Sequence, residues 1–392
     1  MNIMSSSRAY ALFSAVALLC FCLLLFPFFA SAAMQIPDPT EKASMPEPVA
    51  NALETLIKAA QSGGEVEPAV FDLLLEYSAD TAMGTGSRIL PERAEGHGVF
   101  YYCPVPVSLQ DIVDYTMNPN VPHAAIYPNS VRRGAWLNGS LADAASRFSL
   151  PANSVTQLHA KEYEQITPDE NSGIYYAYTL NRLFALTPVQ IAGNGTSALF
   201  QISVQNGKSE NGLKGAILGP DKDWNYAYTG VQGSTLPMVG WAETNIYGAI
   251  TVNIWVEQEE GKAYLYSYKW LKAGWSGMNM AKTNHLTAGV NRYLEGLHQV
   301  LGSTKRPSPE SMAQAAATYA AMSNEDQIAA LTDFSRNMEA LASAVDVTDG
   351  DFQKVLTDGA YAASMSREDR EAELIRLFVK QQLGLPFSSV AK

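Results

Sequence analysis

A change of period between Leu271 and Leu286 constrains this chain more than any other feature of its sequence. Before it, large apolar side chains recur at every second residue. Ile250, Val252, Ile254 and Val256 do so in one stretch, and Tyr264, Tyr266, Tyr268 and Trp270 in the next, with Gly261 between them. That alternation predicts an antiparallel hairpin, each strand turning one face to a core. After it, Leu286, Val290, Tyr293, Leu294, Leu297, Val300 and Leu301 step by three and four, and Gly302 follows. This is one apolar helix face with a terminator.

The rest of the chain arranges itself around that switch. Residues 43–93 read as helical: Val49, Leu53, Leu56 and Ile57 follow Pro46 and Pro48, Gly63-Gly64 interrupts, and Pro68 opens a second helix. The stretch from Gly84 to Gly98 reads as a linker. Residues 99–103 form a short strand ended by Pro104 and Pro106, and Ser108 caps a short helix carrying Leu109, Ile112, Val113 and Met117. Extended segments are expected at 155–166, 174–191, 197–204, 225–230, 241–256 and 263–271, separated by glycine- and asparagine-rich turns. Beyond Pro307 everything is helical, with Ser308, Ser323 and Ser366 at helix starts and Gly384 at the last helix end.

The order short strand, small helix, run of antiparallel strands, long terminal helix is that of the helix-grip fold. Residues 99–303 therefore resemble the START-like superfamily, with its Bet v 1 and polyketide-cyclase groups. Pro104-Val105-Pro106-Val107-Ser108-Leu109-Gln110-Asp111-Ile112-Val113 is similar to that family's strand-to-helix entry, residues 119–128 to its next loop, and residues 275–301 to its long helix. The stretch 132–153 is longer than the family's usual, and the helical flanks have no counterpart in its minimal members. The resemblance implies an α+β fold, a bent antiparallel sheet gripping one long helix. It also implies a lipid, sterol or aromatic molecule held between the two, or, in a minority of members, cyclase or hydrolase chemistry. The expected organisation is a signal peptide (1–32), an N-terminal helical segment and linker (33–98), the helix-grip-like domain (99–303) and a C-terminal helical segment (304–392).

The N-terminus supplies the cellular context. Arg8 precedes an apolar run over residues 11–30 and then Ala30-Ser31-Ala32, the parts of a secretory signal cleaved after Ala32. A run of about 20 apolar residues could also span a bilayer, but Pro27 and the small-residue site favour cleavage. No permanent membrane span is then expected. Bulky Leu19 and Phe21 precede Cys20 and Cys22, which disfavours lipid attachment there. One cysteine, Cys103, remains after cleavage, so no internal disulfide can form and the core must hold the fold. The expected location is periplasmic or secreted, with two or three compact units in some 360 residues. The net charge of −12 and the lack of a Lys/Arg run argue against nucleic acid as a partner.

Candidate chemistry is sparse. The histidines (97, 123, 159, 285, 298) form no H-x-x-x-H or H-E-x-x-H pair, and His159 and Glu162 fall on opposite faces of their strand. No G-x-S-x-G elbow and no phosphate loop after a strand occurs. A sugar site at Asp221 and Asp223 beside Trp224 competes with an ordinary solvated turn. No catalytic residue, metal or cofactor is expected. Five of the six tryptophans fall between Trp224 and Trp275, among many tyrosines. Such rings suit either a greasy pocket or ordinary sheet packing. The expected binding residues are Tyr264, Tyr266, Tyr268, Trp270 and Tyr293, lining a mainly apolar cavity between sheet and helix. The expected function is an exported binding or carrier protein for an apolar or aromatic molecule or lipid. An envelope interaction module without ligand, or a cyclase or hydrolase using the same cavity, are the rivals.

Overall fold

The computed structural model describes residues 35–385 except 83, 138–140, 142–146, 192–193, 237–239 and 348. The expected signal segment lies outside the described residues. Two helices come first, α1 (Glu47–Ser62) and α2 (Pro68–Thr81), each with proline at its first turn. The stretch read as a linker is instead strand β1 (Gly86–Arg93), paired antiparallel with β2 (Gly96–Val105) through a tight turn. Its polar Ser87, Arg88, Glu92 and Arg93 hid it, because an edge strand with one open side carries little alternation.

Ser108 accepts a hydrogen bond from Asp111 N at 3.0 Å and so caps α3 (Leu109–Thr116). A short α4 (His123–Ile126) leads into β3 (Val131–Leu137), which opens the unusually long stretch 132–153. There follow β4 (Thr156–Ile166), β5 (Ile174–Tyr175), β6 (Ala177–Ile191), β7 (Asn194–Gln205), β8 (Leu213–Ile217), β9 (Tyr226–Gln232), β10 (Ser234–Leu236), β11 (Gly240–Ala242), β12 (Thr244–Glu259) and β13 (Lys262–Trp275). The long helix α5 (Thr283–Leu301) buries Leu286, Val290, Leu294, Leu297, Val300 and Leu301, the stripe read from the sequence.

Eight strands make one antiparallel sheet in the order β1-β2-β13-β12-β7-β6-β4-β3. The hairpin pairs Ile250 with Trp270, Val252 with Tyr268, Ile254 with Tyr266 and Val256 with Tyr264. Not all the extended segments join it. β5, β8 and β9 form a separate three-stranded sheet, and β10 and β11 a two-stranded one. Helix α5 covers one face of the large sheet. The other face is covered by α1 and α2, whose Leu53, Leu56, Phe71 and Leu74 pack against Phe200, Ile202, Ile254 and the hairpin rings.

The C-terminal helices include α6 (Pro309–Ala321), α7 (Asn324–Ala330), α8 (Thr332–Ala344), α9 (Gly350–Leu356), α10 (Tyr361–Ser364) and α11 (Arg367–Leu383). Ser308, Ser323 and Ser366 cap three of them as expected. Buried polar side chains fasten them to the strands. Arg376 donates to the carbonyls of Val131 and Arg132, Lys380 to Asn225, and the Tyr361 hydroxyl bridges Tyr226 O and Tyr228 N at 2.9 Å each. The described residues from Ile36 onward therefore form one compact unit, where the length suggested two or three. Among the described residues no helix is long and apolar enough to cross a membrane.

Candidate functional site

Pairing register decides what the sheet presents to α5. Side chains alternate along β13, so Tyr264, Tyr266, Tyr268 and Trp270 share one face while Leu265, Ser267, Lys269 and Leu271 share the other. The structure turns the ring face towards α1 and α2, and the second set towards α5. Four of the five expected binding residues are thus corrected: they form the core beneath the N-terminal helices. Their polar tips explain the choice of residue. Tyr268 shares a hydrogen bond with Ser78 at 2.8 Å, Trp270 Nε1 donates to Pro91 O at 3.0 Å, and the Tyr264 hydroxyl donates to Gly84 O. Phe100 stacks on Tyr268 with ring centroids 4.4 Å apart. Only Tyr293, on α5, faces the space between helix and sheet, stacked at 4.8 Å on Tyr127.

That space is a cavity of about 320 Å³. Its helix side is apolar, from Leu286, Val290 and Tyr293, with Leu180 and Leu265 adding apolar patches on the sheet. Its floor is not the apolar one expected. A row of paired residues crosses four strands: Lys269 opposite Thr251, Thr251 opposite Ser203, and Ser203 opposite Arg182. A second row brings Ser267 opposite Asn253 and Asn253 opposite Gln201, with Ser267 Oγ donating to Asn253 Oδ1 at 2.7 Å. Gln201 is fixed by Trp255 Nε1 at 3.0 Å and by its own bond to Thr116 on α3, which closes this end. The opposite end opens between the exposed residues Asp169, Glu170 and Asn171 and the exposed His285, Ala288 and Gly289 of α5. Helix and rim are held together by Arg292, bidentate to Asp221 at 2.6 and 2.7 Å and bonded to Pro168 O at 2.8 Å. Asp221, one candidate for a sugar site, is therefore a structural anchor.

Beside the floor lies a buried charge cluster. Glu162 is 0 % exposed; Arg182 donates to its Oε2 at 2.9 Å and His123 Nδ1 lies against its Oε1. Burial pushes the Glu162 carboxyl up, but His123 and Arg182 outweigh that and hold it below the ordinary range. Two residues on, Glu164 accepts from the Tyr178 hydroxyl at 2.6 Å, and burial together with the nearby Glu162 charge raises its pKa. One ligand atom from each of His123, Glu162 and Glu164 falls within 4.8 Å of the others. The guanidinium of Arg182 already supplies positive charge there, so the set forms an ion-pair network. No spacing rule could have found it, because His123 comes from α4 and the carboxylates from β4. His159, which bonds Gly64 O at 3.1 Å, points to the opposite face, as the strand period requires.

Lys269 is different. It is enclosed by protein, and burial lowers its pKa while Glu164 partly opposes the shift. Among the described residues it has neither a hydrogen bond nor an ion pair. Its remaining exposure faces the cavity. Cys103, by contrast, is buried, with its thiol pushed up to about 12 by desolvation, so it is no nucleophile.

No family model matches the chain, and no curated protein matches it either. Among solved structures it is similar to the human StarD13 (DLC2) lipid transfer and protein localization domain, at 8% identity and a TM-score of 0.28, over 60% of this chain and 98% of that one.

Proposed function

We propose that this chain is an exported, START-like binding or carrier protein whose ligand sits between the large sheet and α5. The observation that supports it is the cavity itself. Well-packed interiors leave few voids larger than a water, yet here about 320 Å³ stays open between two covered layers and reaches solvent at one end. That volume is at the small end of the roughly 300–1,000 Å³ typical of ligand pockets. With a polar floor under an apolar helix face, it fits a small amphiphile rather than a two-tailed lipid. Export rests on the N-terminal apolar run and Ala30-Ser31-Ala32, and would leave Ile36 near the mature start. Helix-grip membership rests on element order: strand, capped helix, antiparallel strands and the long helix α5.

Native mass spectrometry of protein purified from its own host tests the reading. The expected result is a mature chain beginning near Ala33 with one small molecule bound. A neutral, environment-sensitive apolar dye should enter the emptied cavity, and Gly289→Phe at the rim should block it without lowering the melting temperature. A chain that carries no small molecule and gives no dye signal overturns the binding function; co-purified partner chains in its place support the interaction module.

A further inference from the structure

We propose that the cavity takes an organic monocarboxylate, its carboxylate seated on the Lys269 ammonium and its apolar body against Leu265, Leu286 and Val290. This rests on the binding function proposed above and names the ligand class for the same cavity. A buried ammonium without a partner is costly, and the surrounding chain holds it in place on a central strand, paired on both sides. β13 lies between β2 and β12, with Lys269 opposite Val99 on one side and Thr251 on the other. Among the described residues no acceptor hydrogen-bonds or ion-pairs with it, and Glu164 acts on it only through its charge. The other cation of the row, Arg182, is three strands away, about 14 Å at ~4.8 Å per strand. It is already committed to Glu162. Among the described residues, Lys269 is thus the cavity's one lysine or arginine outside a salt bridge.

That count selects the anion. A phosphate monoester carries up to two charges and would need a second cation. A carboxylate carries one charge and accepts several hydrogen bonds. Beside Lys269 the hydroxyls of Thr251 and Ser203 can donate to it. The helix side adds no charge where the apolar body would lie: Leu286, Val290 and Tyr293 face inward there, and His285 and Arg292 stay at the rim. At ~30 Å³ per water-sized atom, about 320 Å³ holds roughly ten atoms, the size of an eight-carbon acid.

Calorimetric titration of the full mature chain, stripped of ligand, with octanoate and with 1-octanol tests the proposal. The acid should bind about tenfold or more tightly than the alcohol, the gain expected of a charge-assisted hydrogen bond in an enclosed site. Lys269→Met should abolish that preference, read as the ratio of acid to alcohol affinity, and Lys269→Arg should retain it. Melting curves of both variants confirm that they are folded. Equal binding of acid and alcohol by the parent, or an undiminished preference in Lys269→Met, overturns the carboxylate assignment while the binding function stands. If neither compound nor the neutral dye binds, both fall together.

Discussion

Replacing Arg182 with leucine isolates the interaction on which the buried charge cluster depends. Glu162 has no exposure and Arg182 very little, and their contact at 2.9 Å lies under the cavity floor. Removing one partner of a buried ion pair costs about 3–5 kcal/mol, because the other charge is left enclosed. Glu162 keeps His123 against its second oxygen, which places the expected loss near the lower end, about 3 kcal/mol. Unfolding entropy near 2.1 cal/mol/K per residue, over the unit Ile36–Lys392, converts this into a melting temperature roughly 4 °C lower. The double variant Arg182→Leu/Glu162→Leu should recover most of the loss, since apolar replacement of both partners is often near neutral. Without Arg182, burial raises the Glu162 pKa, so the penalty should shrink as pH falls and the carboxyl takes up a proton. Urea unfolding of the parent, both single variants and the double variant at pH 7 and pH 5 measures all of this. If Arg182→Leu unfolds within about 0.5 kcal/mol of the parent at pH 7, the carboxylate is hydrated from the cavity and the burial argument is wrong.

Glu164 has the opposite linkage. Its folded pKa lies above the ordinary value of about 4.5, so its contribution is fully present below that value and is lost as pH rises through the folded pKa. Glu164→Gln, which keeps an oxygen for the Tyr178 hydroxyl, should therefore stabilise at pH 7 and have no effect below about pH 4.5 in the same unfolding assay. Two glycines of α5 should respond oppositely to alanine, as read by thermal melts. At Gly296 a Cβ would stand 2.0 Å from Asn129 Oδ1, whose side-chain amide bonds Arg292 O, and the overpacking should cost about 1–3 kcal/mol. At Gly289 nothing stands within 4 Å, and the gain in helix propensity should reach about 1 kcal/mol.

What the sequence made legible was whatever depends on local spacing. The α5 stripe, the β12–β13 hairpin and the serine caps all follow from period and turn chemistry, and each is where spacing put it. The small sheet of β5, β8 and β9 was out of reach for the converse reason. Leu213–Ile217 is five residues long, interrupted by Gly215, and pairs only with the two-residue β5 and the seven-residue β9. Nothing in its own composition separates it from a loop. Its stability comes from the C-terminal helices that lie on β9, through the Tyr361 hydroxyl.

The floor of the cavity was illegible for a different reason. Period two says that Tyr264, Tyr266, Tyr268 and Trp270 share a face, and says nothing about which layer covers it. A row reading Leu265, Ser267, Lys269, Leu271 looks like the solvent side of a half-buried strand, and in a sheet covered once it would be. Here the sheet is covered twice. The signal that could have shown this was in the first section of the chain, where Val49, Leu53, Leu56 and Ile57 form an apolar stripe that needs a surface to bury it. The apolar face of the hairpin is the natural partner for that stripe, and the structure pairs them. Once the rings are committed to α1 and α2, the helix-covered face must be the polar one. A lysine there is no longer a solvated surface charge; it is an enclosed ammonium facing a void. The same two-sided covering that moved the aromatic residues out of the cavity is what makes Lys269 the group most in need of a ligand.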